Sequence, residues 1–301
     1  MTVLNDFSAK PRFSSAFLLA LALGVVAAVI VAPIVAYGLA ATSIWFPFPR
    51  IFDRVVMVAL AATLILFARR LGLAVLLRDG FGEPRRNLPR VLVGMAIAIA
   101  VMVILFALAI SIAHQPLHLA DLIFRAIQYS AAAILIGVME EAFFRVVLLG
   151  GIARDFDWRL ALPASAAIYA LAHLIRSPKH YYLTGFHPAA GLANLASSLE
   201  RIVHPDGLAA MTFGLFLLGL LFGTAFIRTG KAYLSIGLHA GLVMGAKCWP
   251  LVAAGSSQFP RWLAGPGPVP LIAAPAAWAF ALALTALIAL ATSHEANSGK
   301  R

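Results

Sequence analysis

Glu140, Glu141 and Arg145 stand within six residues inside a mainly apolar run from about Leu122 to Gly150. That run is long enough to cross a bilayer as one helix. Ionisable groups at such depth cost roughly 2.5 to 3.5 kcal/mol each by insertion scales, so these must face a protein interior or a wet cavity rather than lipid. On a helix Glu141 and Arg145 are four apart and share a face, where they can neutralise each other. Glu140 is turned about 100° away and has no opposite charge nearby in sequence. The bland reading is a buried structural ion pair with a spare carboxylate paired elsewhere. The chemical reading is that Glu140 handles protons.

Two more polar groups lie in apolar segments: His173, ending Ile168-Tyr169-Ala170-Leu171-Ala172-His173, and His239, within Leu234-Ser235-Ile236-Gly237-Leu238-His239-Ala240-Gly241. A single membrane histidine is more often a hydrogen bond between helices than a catalyst. Depth argues for more. At about 1.5 Å per residue, Glu140 lies about 15 Å from Gly150, His173 about 20 Å from Leu160 and His239 about 12 Å from Lys231. Three groups from three helices thus fall at similar depth, and their convergence in one cavity is the expectation. One carboxylate and two imidazoles in a partly wet pocket suit hydrolysis: Glu140 as general base toward water, an imidazole donating to the developing oxyanion. The same set could hold zinc with a water as fourth ligand. Against zinc, there is no His-Glu-x-x-His helix and no obvious carboxylate beside either histidine in its own segment.

The segments that must position these groups follow from composition. Of 301 residues, 62% are hydrophobic and 12% charged, and the mean hydropathy is +0.94, far above a soluble chain. The expectation is an all-α, polytopic transmembrane helix bundle of about eight spans. The net charge of +11 would suggest nucleic acid in a soluble domain. Here most basic residues flank apolar segments and read as topology signals and lipid-headgroup contacts, so no nucleic-acid partner is expected. Cys248 is the single cysteine, which excludes an internal disulfide and a cysteine metal cluster. A buried filler is a commoner role for it than a nucleophile.

The expected spans are Phe13–Ala41, Ile51–Ala68, Val91–Ala113, Leu122–Gly150, Leu160–Leu174, Gly207–Ile227, Ala232–Trp249 and Val269–Ala291. The first apolar run is too long for a signal peptide, whose apolar region is about 7 to 15 residues, so it reads as an uncleaved span. Phe46-Pro47-Phe48-Pro49-Arg50 and Gly265-Pro266-Gly267-Pro268 break helices, Leu71–Leu77 suits the membrane surface, and His114–Asp121 carries no Lys or Arg. Between Ile175 and Pro205, with Arg176, Lys179, His180, His187, Glu200, Arg201 and His204, the part Pro188–Ile202 has helix-like apolar spacing and reads as amphipathic or re-entrant. The positive-inside rule puts the arginine-rich stretch Arg69–Arg90 in the cytoplasm, together with Lys10, Arg12, Arg154, Arg159, Arg228, Lys231, Lys300 and Arg301. Three regions are expected: N-terminal helices with the basic loop (1–121), a membrane core carrying the site (122–250), and a last span with its tail (251–301).

At these residues the sequence resembles the CAAX-processing and bacteriocin-processing family of intramembrane glutamic proteases, over roughly Phe124 to Met244. Glu140, Glu141 and Arg145 match the first motif, two glutamates and an arginine after three intervening residues. Tyr169 and His173 match the second, where Phe is usual in place of the tyrosine. His239 matches the third, with Arg228-Thr229-Gly230 before it. The resemblance implies an integral, multi-pass protein of the cell (inner) membrane that cuts a membrane-associated peptide or protein without a cofactor. Glu140 would activate water with help from His173, His239 would help hold the oxyanion, and Glu141 and Arg145 would be mainly structural. Family members often carry Asn or Asp four residues after the last histidine, and this chain has Val243, which donates no hydrogen bond. Either another group substitutes, such as one from residues 175–205, or the enzyme is slow or inactive. A noncatalytic membrane protein binding a peptide or lipid in the same pocket, as an immunity or sorting partner, is therefore the second reading. A transporter with Glu140 as proton carrier is the third, and no paired repeats support it. Nothing in the sequence sets the substrate's identity or the oligomeric state.

Overall fold

The computed structural model describes residues 12–113, 119–178, 181–204, 207–253, 259–266 and 271–298. Lys10, Lys179, His180, Lys300 and Arg301, residues 114–118 of the loop without Lys or Arg, and Pro205, Gly267, Pro268 and Val269 lie outside them. Among the described residues the regular structure is all helix, with no strand. In chain order the helices are α1 Phe13–Ala41, α2 Phe48–Leu66, α3 Ala68–Leu71, α4 Leu73–Phe81, α5 Pro84–Asn87, α6 Pro89–Ala113 and α7 Leu119–Glu141. A π-helical stretch, Ala142–Leu149, leads into α8 Gly150–Asp155, and then come α9 Trp158–Ala172, α10 Ala190–Val203, α11 Ala209–Thr229, α12 Tyr233–Ala253, α13 Arg261–Ala264 and α14 Pro275–Ser298.

Each expected span overlaps a helix, and among the described residues four stretches combine the length and hydropathy of a membrane crossing: Phe13–Ala41, Pro84–Ile112, Ala209–Thr229 and Tyr233–Ala253. The other four expected spans fall on α2, α7, α9 and α14. Helix α2 carries Arg50, Asp53 and Arg54, α7 carries Asp121, Arg125, Glu140 and Glu141, and α9 has 15 residues. The run expected as one continuous α-helix changes hydrogen-bonding pattern at Ala142, directly after the paired glutamates.

The helices group into two compact units. The first comprises residues up to Ala74, Arg154–Phe156 and Leu174–His204, so it takes part of the segment 122–250. In it α10 crosses α1 so closely that a Cβ on Gly191 would come within 2.0 Å of the Val29 carbonyl oxygen. The N-terminus of α1 is capped from far along the chain: Asp155 accepts hydrogen bonds from the backbone amides of Phe13 (3.1 Å) and Ser14 (2.7 Å), two of the donors that a helix start leaves unpaired.

The second unit, Val75–Ala153, Asp157–His173 and Pro205–Arg301, is built around α12, which packs on α6, α7 and α11. Without a hydrophobic drive between helices in lipid, close backbone approach at small residues supplies the packing. A Cβ on Gly237 would lie 2.0 Å from the Val91 carbonyl oxygen, so the α6–α12 crossing requires glycine there. The entry to α12 is fixed by the C-terminal turn of α4, whose free carbonyls need donors. Lys231 Nζ donates to Asp79 O (2.8 Å), the Ala232 amide to Gly80 O (3.0 Å) and the Tyr233 hydroxyl to Phe81 O (2.8 Å). Cys248 is buried with Met102, Phe106 and Trp249 in an apolar cluster of this unit, the environment of a filler.

Candidate active site

Three helices of the second unit deliver the site: α7 ends with Glu140 and Glu141, His173 caps the C-terminus of α9, and His239 lies in the second turn of α12. The histidine side chains converge on one atom. His173 Nε2 and His239 Nε2 each lie 3.7 Å from Glu140 Oε2. Glu140, without an opposite charge near it in sequence, meets its partners from the two other helices.

His239 also sits between the adjacent glutamates. Its Nδ1 is 2.9 Å from Glu141 Oε1, while Nε2 faces Glu140. An ionised carboxylate only accepts, so Nδ1 carries the proton and Nε2 is the atom turned to Glu140. His173 is fixed the same way, its Nδ1 donating to the Tyr169 carbonyl oxygen at 2.8 Å. Both rings therefore present Nε2 to the same oxygen. A separation of 3.7 Å is longer than a direct hydrogen bond, which leaves Glu140 Oε2 without a hydrogen-bond partner among the described residues.

Behind these groups Glu141 and Arg145 are fully buried and paired at 3.3 Å, as their spacing predicts. The guanidinium is enclosed by aromatic faces, its carbon 4.7 Å from the Tyr169 ring centroid, 5.4 Å from Phe222 and 6.0 Å from Phe144. Its nitrogens make no hydrogen bond among the described residues, so ring faces and one carboxylate offset its desolvation. Phe222 also stacks on His239, centroids 4.8 Å apart and 8° from parallel. The wide π turn is tied to α9 by the Ser165 hydroxyl, which donates to Phe144 O at 3.2 Å. Such a turn shifts the register of a helix, and π segments recur at functional sites.

Sequence reasoning missed Phe222, Phe144 and Ser165. An aromatic residue in an apolar helix carries no local signal of what it faces, and the contacts of Phe222 and Ser165 come from other helices. Glu141 was assigned to Arg145 alone, and its second partner, His239, lies 98 residues away.

Glu140, His173 and His239 open onto a cavity of about 180 Å³ in this unit. Tyr169, Phe222, Leu218 and Trp278 are among its walls. By liquid volume it has room for several waters or an apolar side chain. Val243 also lines it and adds no donor. Among the described residues, no group of three or more His, Cys, Asp or Glu side chains is arranged to hold a metal ion.

No curated protein and no solved structure matches the chain. Residues 122–244, the segment that carries all six of these charged and aromatic motif residues, match the model of the Rce1-like family, described as type II CAAX prenyl endopeptidase Rce1-like, in agreement with the protease family that the motifs resemble.

Proposed function

We propose that the chain is an intramembrane glutamic endopeptidase of the cell (inner) membrane that hydrolyses a peptide bond of a membrane-associated substrate. Glu140 takes a proton from a cavity water as the water oxygen attacks the scissile carbonyl carbon. His173 holds that carboxylate and water from the side. The C–N bond then breaks and the proton passes to the leaving amine. His239 supports the oxyanion through Nε2 when that atom carries a proton, and the Glu141 carboxylate at Nδ1 stabilises the resulting positive ring. The observation that carries this reading is the placement of two imidazole Nε2 atoms at 3.7 Å from one otherwise unpartnered carboxylate oxygen.

The reading needs no metal. In a test with purified, reconstituted protein and peptides ending in a CAAX sequence, with and without a prenyl group, cleavage continues in a chelator and is lost in Glu140→Gln. Cleavage abolished by chelation and restored by zinc would replace it with a metal mechanism. Val243 favours a second reading, a noncatalytic membrane protein that binds a peptide or lipid in the same cavity. Tight binding of such a peptide without turnover would select it.

A further inference from the structure

Within the first unit, α1 and α2 are in close contact near Gly24, where an added Cβ would lie 2.8 Å from Leu60 Cδ2 and 3.1 Å from its Cα. Toward the end where α1 stops and α2 begins, a cavity of about 660 Å³ opens. Val35 and Leu39 of α1 and Val55 and Met57 of α2 form apolar walls, and Arg50, Asp53 and Arg54 supply the charge. Arg50 and Arg54 are four apart and share a helix face. Both are exposed, and neither pairs with a carboxylate among the described residues. Asp53 already accepts the Ser177 hydroxyl.

The same end of the unit carries a set of half-exposed aromatics: Tyr37 (51%), Trp45 (53%), Phe46 (50%) and Phe186 (52%). Of these, Tyr37 and Trp45 are amphipathic rings of the kind that collect at the headgroup level of a bilayer. A net positive mouth at headgroup depth above an apolar wall matches one chemistry, a phosphodiester joined to an acyl chain.

We propose that this cavity binds one anionic glycerophospholipid, its phosphate held by Arg50 and Arg54 and an acyl chain laid against Val35, Leu39, Val55 and Met57. A choline lipid offers the same phosphate but brings a fixed cation beside the arginines, so the site discriminates against it.

The test uses full-length protein in neutral detergent, offered phosphatidylglycerol or phosphatidylcholine of identical chains, with bound lipid counted by native mass spectrometry. The wild type retains phosphatidylglycerol about tenfold better. Arg50→Gln with Arg54→Gln removes that preference, while Arg50→Lys with Arg54→Lys keeps most of it, which separates lost charge from lost fold. Val35→Trp narrows the apolar part of the cavity without changing charge and lowers retention of both lipids. Equal retention of the two lipids by the wild type, an undiminished preference in the double glutamine variant, or full retention by Val35→Trp overturns the proposal.

Discussion

The two units each bury a cluster of polar side chains, and the clusters are finished to different degrees. In the first unit Asn194 and Ser198 are buried. Asn194 Oδ1 accepts from the Tyr181 hydroxyl at 3.1 Å, its Nδ2 lies 3.4 Å from both Ser177 Oγ and Ser198 Oγ, and Ser198 donates to Asn194 O at 2.7 Å. In the second unit Glu140 Oε2, Glu141 Oε2 and the three Arg145 nitrogens have no hydrogen-bond partner among the described residues. A satisfied network fixes one arrangement of its helices. Unsatisfied groups cost stability and are retained where something else, water or substrate, completes them. On this criterion the Asn194 cluster reads as architecture, and the open acceptor on Glu140 is in keeping with the proposed catalytic role.

The comparison can be broken at either cluster. The largest expected effect is on Arg145. Removing it leaves the buried Glu141 carboxylate with only the His239 ring as partner, so Arg145→Ala destabilises the protein by roughly 3 to 5 kcal/mol, read from unfolding in detergent. A loss near zero would mean that the aromatic enclosure and ion pair carry no weight.

Val243→Asn sharpens the other side by adding a donor to the cavity. If the oxyanion lacks one, cleavage accelerates about 100-fold to 1000-fold, equivalent to roughly 2.7 to 4 kcal/mol of barrier, measured as kcat. An unchanged kcat would show that the oxyanion is already fully supported without position 243.

Asn194→Ala strands the Tyr181 hydroxyl and takes one neighbour from each of two serines that keep Asp53 and the Asn194 carbonyl as partners, at about 1 to 3 kcal/mol of stability, and leaves kcat unchanged. A fall in kcat with stability intact would move that cluster from architecture to function.

The smallest effect is at Asp155. Partial burial raises its carboxyl pKa, but hydrogen bonds from Ser14 and Phe13, with Arg12 nearby, outweigh that and hold it below the usual carboxylate range. A depressed folded value means that the capping contribution is present above about pH 4. It fades as pH falls through the lower folded value. Asp155→Asn costs about 0.5 kcal/mol at neutral pH, the low end for a cap because the site is largely solvent-screened, and flattens the acid side of the stability profile. An unchanged profile would remove Asp155 from the fold's supports.

How much of this was legible in the sequence depends on whether the signal was local. Apolar runs placed the helices, and the rise per residue brought Glu140, His173 and His239 to similar depth without any structure. The pairing of Glu141 with Arg145 follows from a four-residue spacing. Distance in sequence hid the rest: Glu141 holding His239, Phe222 lying between Arg145 and His239, Ser165 tied to the π turn, Asp155 capping α1. The change to π geometry at Ala142 was invisible because the apolar pattern of Ala142–Leu149 suits either kind of helix. The Asn194 network left no trace in hydropathy, since single polar residues in an amphipathic segment look solvent-facing until Tyr181 and Ser177 are seen over them.

The central claim is that Glu140 is the base of a hydrolytic site, and the most direct measurement is the membrane peptide population of cells carrying wild-type protein or Glu140→Gln. The substitution nearly preserves shape and removes the base. The account predicts that specific cleavage products vanish and their precursors accumulate, with the variant still folded and in the membrane. Identical peptide populations, with the same products formed at the same level, would contradict it.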